Sequence, residues 1–171
     1  GGQITYTPDA DFNGSDSFDY EVSDGNGGTD TASVSVTVKP VNDAPEFVSP
    51  TPAPMAVLSA TEGQPFTMQV AATDVEGDSI SYDISTLPVG ASFDTGTGLF
   101  DWTPTWEDAG TVMVTVEAAD GNGGLATRDV TIQVNYLDAD GDGLPDTWES
   151  DNGLDPSLQD TDGDTIADGD E

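Results

Sequence analysis

The chain contains no cysteine and no histidine, and its only basic residues are Lys39 and Arg128. Without cysteine it forms no disulfides and does no thiol chemistry. Without either residue it lacks the usual ligands for zinc and copper. A nucleophilic triad has no imidazole to relay its proton. No run of 18 apolar residues occurs, so no helix is expected to span a membrane. The Gly-rich stretches carry acids and would repel phosphate rather than cradle it. Against two cations stand 34 acidic residues, a formal net charge of −32 over 171 residues. Such a surface repels nucleic acid and anionic membranes, and it repels itself unless cations or salt neutralise it. Carboxylate pairs of the kind that hydrolyse a glycoside are too many to single one out, so no enzyme is expected. A solvated, salt-adapted surface accounts for part of the acidity. It does not account for acids placed at alternate positions in short Gly-rich loops.

What the sequence does contain is a repeat. Gly1–Gly28 aligns without gaps on Thr97–Gly124, an offset of 96 residues. Tyr6-Thr7-Pro8 falls on Trp102-Thr103-Pro104, Gly14 on Gly110, and Asp24-Gly25-Asn26-Gly27-Gly28 on Asp120-Gly121-Asn122-Gly123-Gly124. That period suits a β-sandwich domain. Within each copy the apolar residues alternate, as in half-buried strands. Phe18, Tyr20 and Val22 form one face, and Ala32, Val34, Val36 and Val38 another. In the second copy the faces are Val112-Val114-Val116-Ala118 and Ala126-Val130-Ile132-Val134, with Phe66-Met68-Val70 and Ile80-Tyr82-Ile84 as further candidates. No segment before Asp138 has a helical period. The expectation is an all-β sandwich of about seven strands in 41–136, with the strands in 46–136. Residues 1–40 would hold the last three strands of a preceding copy, and 137–171 an irregular calcium-loop segment. Three strands cannot close a two-sheet core. The remainder is expected upstream in a longer protein, the alternative being strands added by another chain. The chain begins in mid-pattern and is read as an internal piece, so its lack of a signal peptide carries no weight. The run from Lys39 to Pro45, followed by Pro50, Pro52 and Pro54, reads as a stiff domain junction.

Calcium takes six to eight oxygen ligands, and a twelve-residue loop supplies them from positions 1, 3, 5, 7, 9 and 12, with Gly at 6. Asp138, Asp140, Asp142, Leu144 (by its carbonyl), Asp146 and Glu149 match every position, with Gly143 at the turn. A second loop follows with Asp160, Asp162, Asp164, Ile166 (carbonyl), Asp168 and Glu171, but Thr165 stands where the turn Gly belongs. Gly makes that turn without steric cost, so the second site is expected to be weaker or differently shaped. Ca2+ is the expected cofactor.

The run Asp138-Ala-Asp-Gly-Asp-Gly-Leu-Pro-Asp-Thr-Trp-Glu149, with Asn152-Gly-Leu-Asp-Pro156 and Asp160-Thr-Asp-Gly-Asp164, resembles bacterial thrombospondin type 3 repeats. That resemblance implies a secreted or surface protein in which bound calcium replaces a hydrophobic core. Residues 1–136 resemble the cadherin-like and Ig-like repeats of bacterial surface proteins. The residues that carry this are Tyr6-Thr-Pro8, Phe18-Asp-Tyr-Glu-Val-Ser-Asp-Gly-Asn-Gly-Gly28 and Val41-Asn-Asp-Ala-Pro45, and in the second copy Ala60-Thr-Glu-Gly63, Ala72-Thr-Asp-Val-Glu-Gly-Asp78 and Gly98-Leu-Phe-Asp-Trp-Thr-Pro104. In cadherins calcium sits between consecutive domains. The resemblance implies Asn42 and Asp43 as linker ligands, Asp74 and Glu76 as the Asp-x-Asp pair, and Asp120 as the third element. Glu62, Asp78, Asp24 and Asn26 are looser candidates. For Asp24 and Asn26, hairpin-turn chemistry is the competing reading. Asp138 follows the second copy as Asp43 follows the first, so the first calcium loop occupies the next junction.

These readings converge on a calcium-stiffened stalk or adhesin segment, extracellular or on a bacterial surface. Its expected partners are neighbouring domains of the same protein, with other copies of itself or surface glycans as further candidates. The alternatives are a filament subunit with strand exchange, and a glycan-binding module of a polysaccharide-degrading protein. Trp106, in a loop, is the candidate sugar platform, whereas Trp102, in a strand, is expected in the core.

Overall fold

The computed structural model describes residues 2–170, which divide into two compact units, Gly1–Asp43 and Ala44–Glu171. The first unit is built on one antiparallel hairpin, β1 (Gly14–Ser23) and β2 (Thr29–Val38). The Asp24 amide bonds the Gly28 carbonyl at 3.0 Å across the turn. Tyr6 stacks on Phe18, with ring centroids 6.3 Å apart, and donates its hydroxyl to Asp16 Oδ2 at 2.9 Å. The third strand expected here does not form among the described residues. The repeat explains why. The counterpart of residues 3–6 in the second unit pairs with two strands that precede it in the chain, and residues 1–43 contain the equivalent of neither.

The second unit begins with β3 (Glu46–Phe47), β4 (Val57–Thr61), β5 (Phe66–Gln69), β6 (Ala72–Thr73) and β7 (Ser81–Ile84). It continues with β8 (Ser92–Asp94), β9 (Leu99–Trp102), a 3-10 turn (Trp106–Asp108), β10 (Gly110–Ala119) and β11 (Leu125–Asn135). One sheet runs β4-β11-β10-β7. The opposing strands are β5-β9-β8, with β3 and β6 paired beside them. These segments are the expected seven strands, because the first and second are each interrupted. Prolines 50, 52 and 54, which cannot donate to a ladder, separate β3 from β4. β5 and β6 are halves of the next strand. β10 and β11 pair Gly110 with Val134, as β1 and β2 pair Gly14 with Val38, so the two copies share a register.

The alternating residues close the core. Val114, Val116, Val130, Ile132 and Phe100 are fully buried, and Met68, Val70 and Ile84 join them. Each such side chain contributes roughly 1.5–3 kcal/mol relative to exposure. Trp102 is a core residue as expected. Its ring meets Phe100 edge-on at 6.3 Å, and its indole N–H donates to the Val89 carbonyl at 3.2 Å, which satisfies its one polar atom. Arg128 lies over the Phe47 ring at 4.8 Å and donates to the Pro52 carbonyl at 2.9 Å, fastening the proline-rich segment to the sheet.

β4 runs parallel to β11, pairing Val57 with Thr131 and Thr61 with Asn135. The next residue, Glu62, therefore lies where the chain leaves the sandwich, and its amide bonds the Asn135 carbonyl at 2.9 Å. Beyond this point comes the helix α1 (Asp146–Asn152), which ends at Gly153 in the left-handed region with φ 84°. A last 3-10 turn spans Asp168–Asp170.

Candidate metal centre

The acidic tail folds as two copies of one loop, 22 residues apart. Asp138 accepts the amides of Gly141 at 2.7 Å and Gly143 at 3.2 Å. Asp160 accepts those of Gly163 and Thr165, both at 2.7 Å. Asp140 accepts the Asp142 amide, and Asp162 the Asp164 amide. Asp142 and Asp164 accept the amides of Leu144 and Ile166. Each loop is closed by one backbone bond, Asp146 N–H to Leu137 at 2.9 Å and Asp168 N–H to Gln159 at 2.8 Å. Asp146 and Asp168 each fold back on the second residue of their own loop, Ala139 or Thr161. In this way the backbone amides turn successive carboxylates inward. Oxygens of Asp138, Asp140 and Asp142 come within 4.8 Å of one another, and so do those of Asp160, Asp162 and Asp164.

The two loops keep the same turn although Thr165 replaces the glycine. Position 6 has positive φ in both, 96° at Gly143 and 81° at Thr165. A residue with a Cβ is strained there by about 1–2 kcal/mol. Glu171 lies outside the described residues.

Glu149 shows most clearly what this arrangement suits. It is completely buried, on α1, and neither carboxylate oxygen has a hydrogen-bond partner. Asp140 Oδ2 is likewise buried and unpartnered. Burial pushes the Glu149 carboxyl above its usual range, and the charges of Asp140, Asp142, Asp146 and Asp168 push it further. Asp140 is raised first by burial. The Asp142 amide opposes that shift, and the neighbouring Asp142, Asp138 and Asp146 add to it. A buried anion without donors is costly, and one surrounded by other anions more so. An all-oxygen donor set of this kind fits a hard cation such as calcium, not a soft transition metal.

Asp74, Glu76 and Asp120 lie on two turns of the second unit, away from the acidic tail. Asp74 Oδ1 accepts the amides of Glu76 at 2.9 Å and Asp78 at 3.1 Å, and its buried Oδ2 has no partner. Asp120 is buried and accepts the amides of Asn122 and Gly124. Asn122 joins the two turns by donating to Asp78 Oδ2 at 2.7 Å. Both aspartates thus organise turns, as Asp24 does for Asn26 and Gly28 in the first unit. Among the described residues, Asp74, Glu76 and Asp120 do not form a close three-carboxylate group. Asn42 and Asp43 belong to the first unit, where Asn42 Nδ2 donates to the Asp43 carbonyl at 3.1 Å.

Glu62 does not join this set, which corrects its grouping with Asp74 and Asp120. The parallel β4–β11 pairing carries it to the far end. There it is buried, and its Oε1 accepts the Thr147 hydroxyl of α1 at 3.2 Å while Oε2 is unpartnered. The contact docks the acidic segment on the sandwich, and sequence reading missed the part Glu62 plays in it. Trp106 is half-buried beside the same helix. It lines a groove of about 460 Å³ with Pro104, Glu107, Thr147 and Asp151.

Residues 47–135, just over half the chain, match the Putative Ig domain family. The chain belongs to that family. In this Putative Ig domain protein, residues 1–37 further match the Bacterial Ig domain family. Such domains are non-catalytic modules typical of extracellular bacterial proteins. No helix among the described residues is long and apolar enough to cross a membrane. No curated protein matches the chain. Similar solved structures include human CDH23 EC21-23, at 24% identity over 69% of this chain and 42% of that one, with a TM-score of 0.48. An endo-fucoidan hydrolase of glycoside hydrolase family 107 is 26% identical over 76% of this chain and 20% of its own, with a TM-score of 0.41. A putative alpha-galactosidase from Bacteroides fragilis is 20% identical over 58% of this chain and 19% of its own, with a TM-score of 0.44; the chain spans about a fifth of that protein's length.

Proposed function

We propose that the chain is a calcium-rigidified segment of a stalk or adhesin in a secreted or cell-surface bacterial protein, with residues 138–171 acting as thrombospondin type 3-like calcium loops. The observation that carries this reading is Glu149, a fully buried carboxylate with no donor, held among four other acids. Calcium supplies the positive charge and oxygen coordination that the chain itself lacks. Asp138, Asp140, Asp142 and Glu149 would hold it in the first loop, and Asp160, Asp162 and Asp164 in the second. The loop amides already orient these side chains, so little reorganisation is needed. The loops have almost no apolar core. Their order then depends on ligation, and the Glu62–Thr147 contact passes that order to the sandwich. Extracellular calcium modules bind at about 0.1–1 mM, so a calcium-rich medium keeps such a segment stiff.

The test is amide hydrogen exchange of the full chain in calcium and in EGTA, beside calorimetric titration. The expected outcome is slow exchange over residues 138–170 in calcium and fast exchange in EGTA. Equal protection in both conditions, or no heat of binding, would refute the reading.

A further inference from the structure

The sequence assigns Glu149 to the first loop and Asp168 to the second, but the fold brings them together. Oxygens of Asp142, Glu149 and Asp168 lie within 4.8 Å of one another. The Gly169 amide donates to Asp142 Oδ2 at 3.0 Å, and Gln159 Nε2 donates to the Asp140 carbonyl. The second loop therefore folds back on the first. Gly169 permits the approach, because a Cβ built there would lie 2.2 Å from the Asp142 carbonyl oxygen. The feature that marks this group as a ligand site is independent of the clustering. Glu149 contributes to it a completely buried carboxylate with both oxygens unpartnered.

We infer that Asp142, Glu149 and Asp168 bind one calcium ion between the two loops, so that the loops fill as a coupled pair rather than as separate sites. This rests on the calcium reading above and adds to it a shared ion. Asp146, the counterpart of Asp168 in the first loop, fastens its own loop through Ala139. Asp168 does the same through Thr161 and in addition reaches across. With the shared ion bound, the second loop is clamped to α1, and through Thr147 to the sandwich. The stiff element then extends past the first loop.

A double-variant cycle in the full chain tests this, with calcium counted by equilibrium dialysis and affinity read by calorimetry. Glu149→Gln and Asp168→Asn should each remove the same ion, and the double variant should bind no fewer ions than either single variant. Residues of separate sites would instead give additive losses, and an additive result overturns the shared site while leaving calcium binding intact. Gly169→Ala removes no ligand. It should weaken one binding step about tenfold or more by forcing the loops apart, and unchanged binding in that variant also counts against the shared ion. Failure of the unsubstituted chain to bind calcium would overturn both readings together.

Discussion

Removal of calcium should destabilise the sandwich and not only the loops. The acidic segment and the sandwich form one compact unit, Ala44–Glu171. The buried Glu62 carboxylate meets Thr147, and only Tyr136 and Leu137 separate the end of β11 from the first loop. A site with free calcium at about a hundredfold its dissociation constant adds roughly 2.7 kcal/mol to the folded state. A unit of about 128 residues unfolds with an entropy near 0.27 kcal/mol/K, taking about 2.1 cal/mol/K per residue. One ion therefore raises the melting temperature by about 10 °C, and two independent ions by about 20 °C. Differential scanning calorimetry of the full chain in EGTA and in excess calcium measures this. The first unit, a hairpin with its apolar residues largely exposed, should contribute little to the transition. A main transition that moves by less than about 2 °C would refute the coupling. A small separate transition for the tail would show that the loops melt apart from the sandwich.

Three further outcomes follow from individual residues. Thr165→Gly relieves a left-handed φ of 81°, worth about 1–2 kcal/mol less the backbone freedom that Gly adds, so the second loop should bind calcium a few-fold more tightly by calorimetry. Without calcium, acid should stabilise the fold. Glu149 and Asp140 have raised folded-state values, so the native state holds more protons, and stability rises as pH falls through those values toward the ordinary carboxylate range. Below that range Asp94 and Asp155, which are held low by hydrogen bonds from amides and hydroxyls, should reverse the trend. In saturating calcium, protons compete with the ion, and melting temperature should fall with pH throughout. Gly98→Ala meets both a φ of 70° and a Cβ placed 2.5 Å from the Val70 carbonyl oxygen, and should cost about 3 kcal/mol, whereas Gly96→Ala, whose Cβ makes an ordinary contact at 3.5 Å, should stay within about 0.5 kcal/mol by denaturant melts.

Much of the sandwich was legible because strand pairing left its mark at fixed spacing. Alternation at Val112–Ala118 and Val130–Val134 named the buried faces, and the 96-residue offset carried the register from one copy to the other. The interruptions of the first two strands were not legible, since an apolar alternation survives a break in hydrogen bonding. The strand expected near residues 3–6 failed for a related reason. Alternation reports which face a strand would bury and is silent on whether a neighbour exists to pair with it.

The loops divide in the same way. The local part of each site, with acids at positions 1, 3 and 5 turned inward by the amides that follow, is set by spacing within six residues, and the sequence showed it. The positions that close a site are set by tertiary contact. Glu62 resembled a ligand of the junction before the sandwich, yet a parallel pairing places it at the junction after. Asp168 fitted position 9 of its own loop, yet it stands beside Glu149 of the other. The one sequence signal for that second contact was Gly169. It lies outside the twelve-position pattern's required glycine, and its missing side chain is what lets two acidic loops approach to hydrogen-bond distance. Two loops of like charge repel each other at such an approach, and the cation of the proposed shared site would offset that repulsion. The close packing at Gly169 and the unpartnered Glu149 are therefore one physical statement, made once by the backbone and once by a carboxylate.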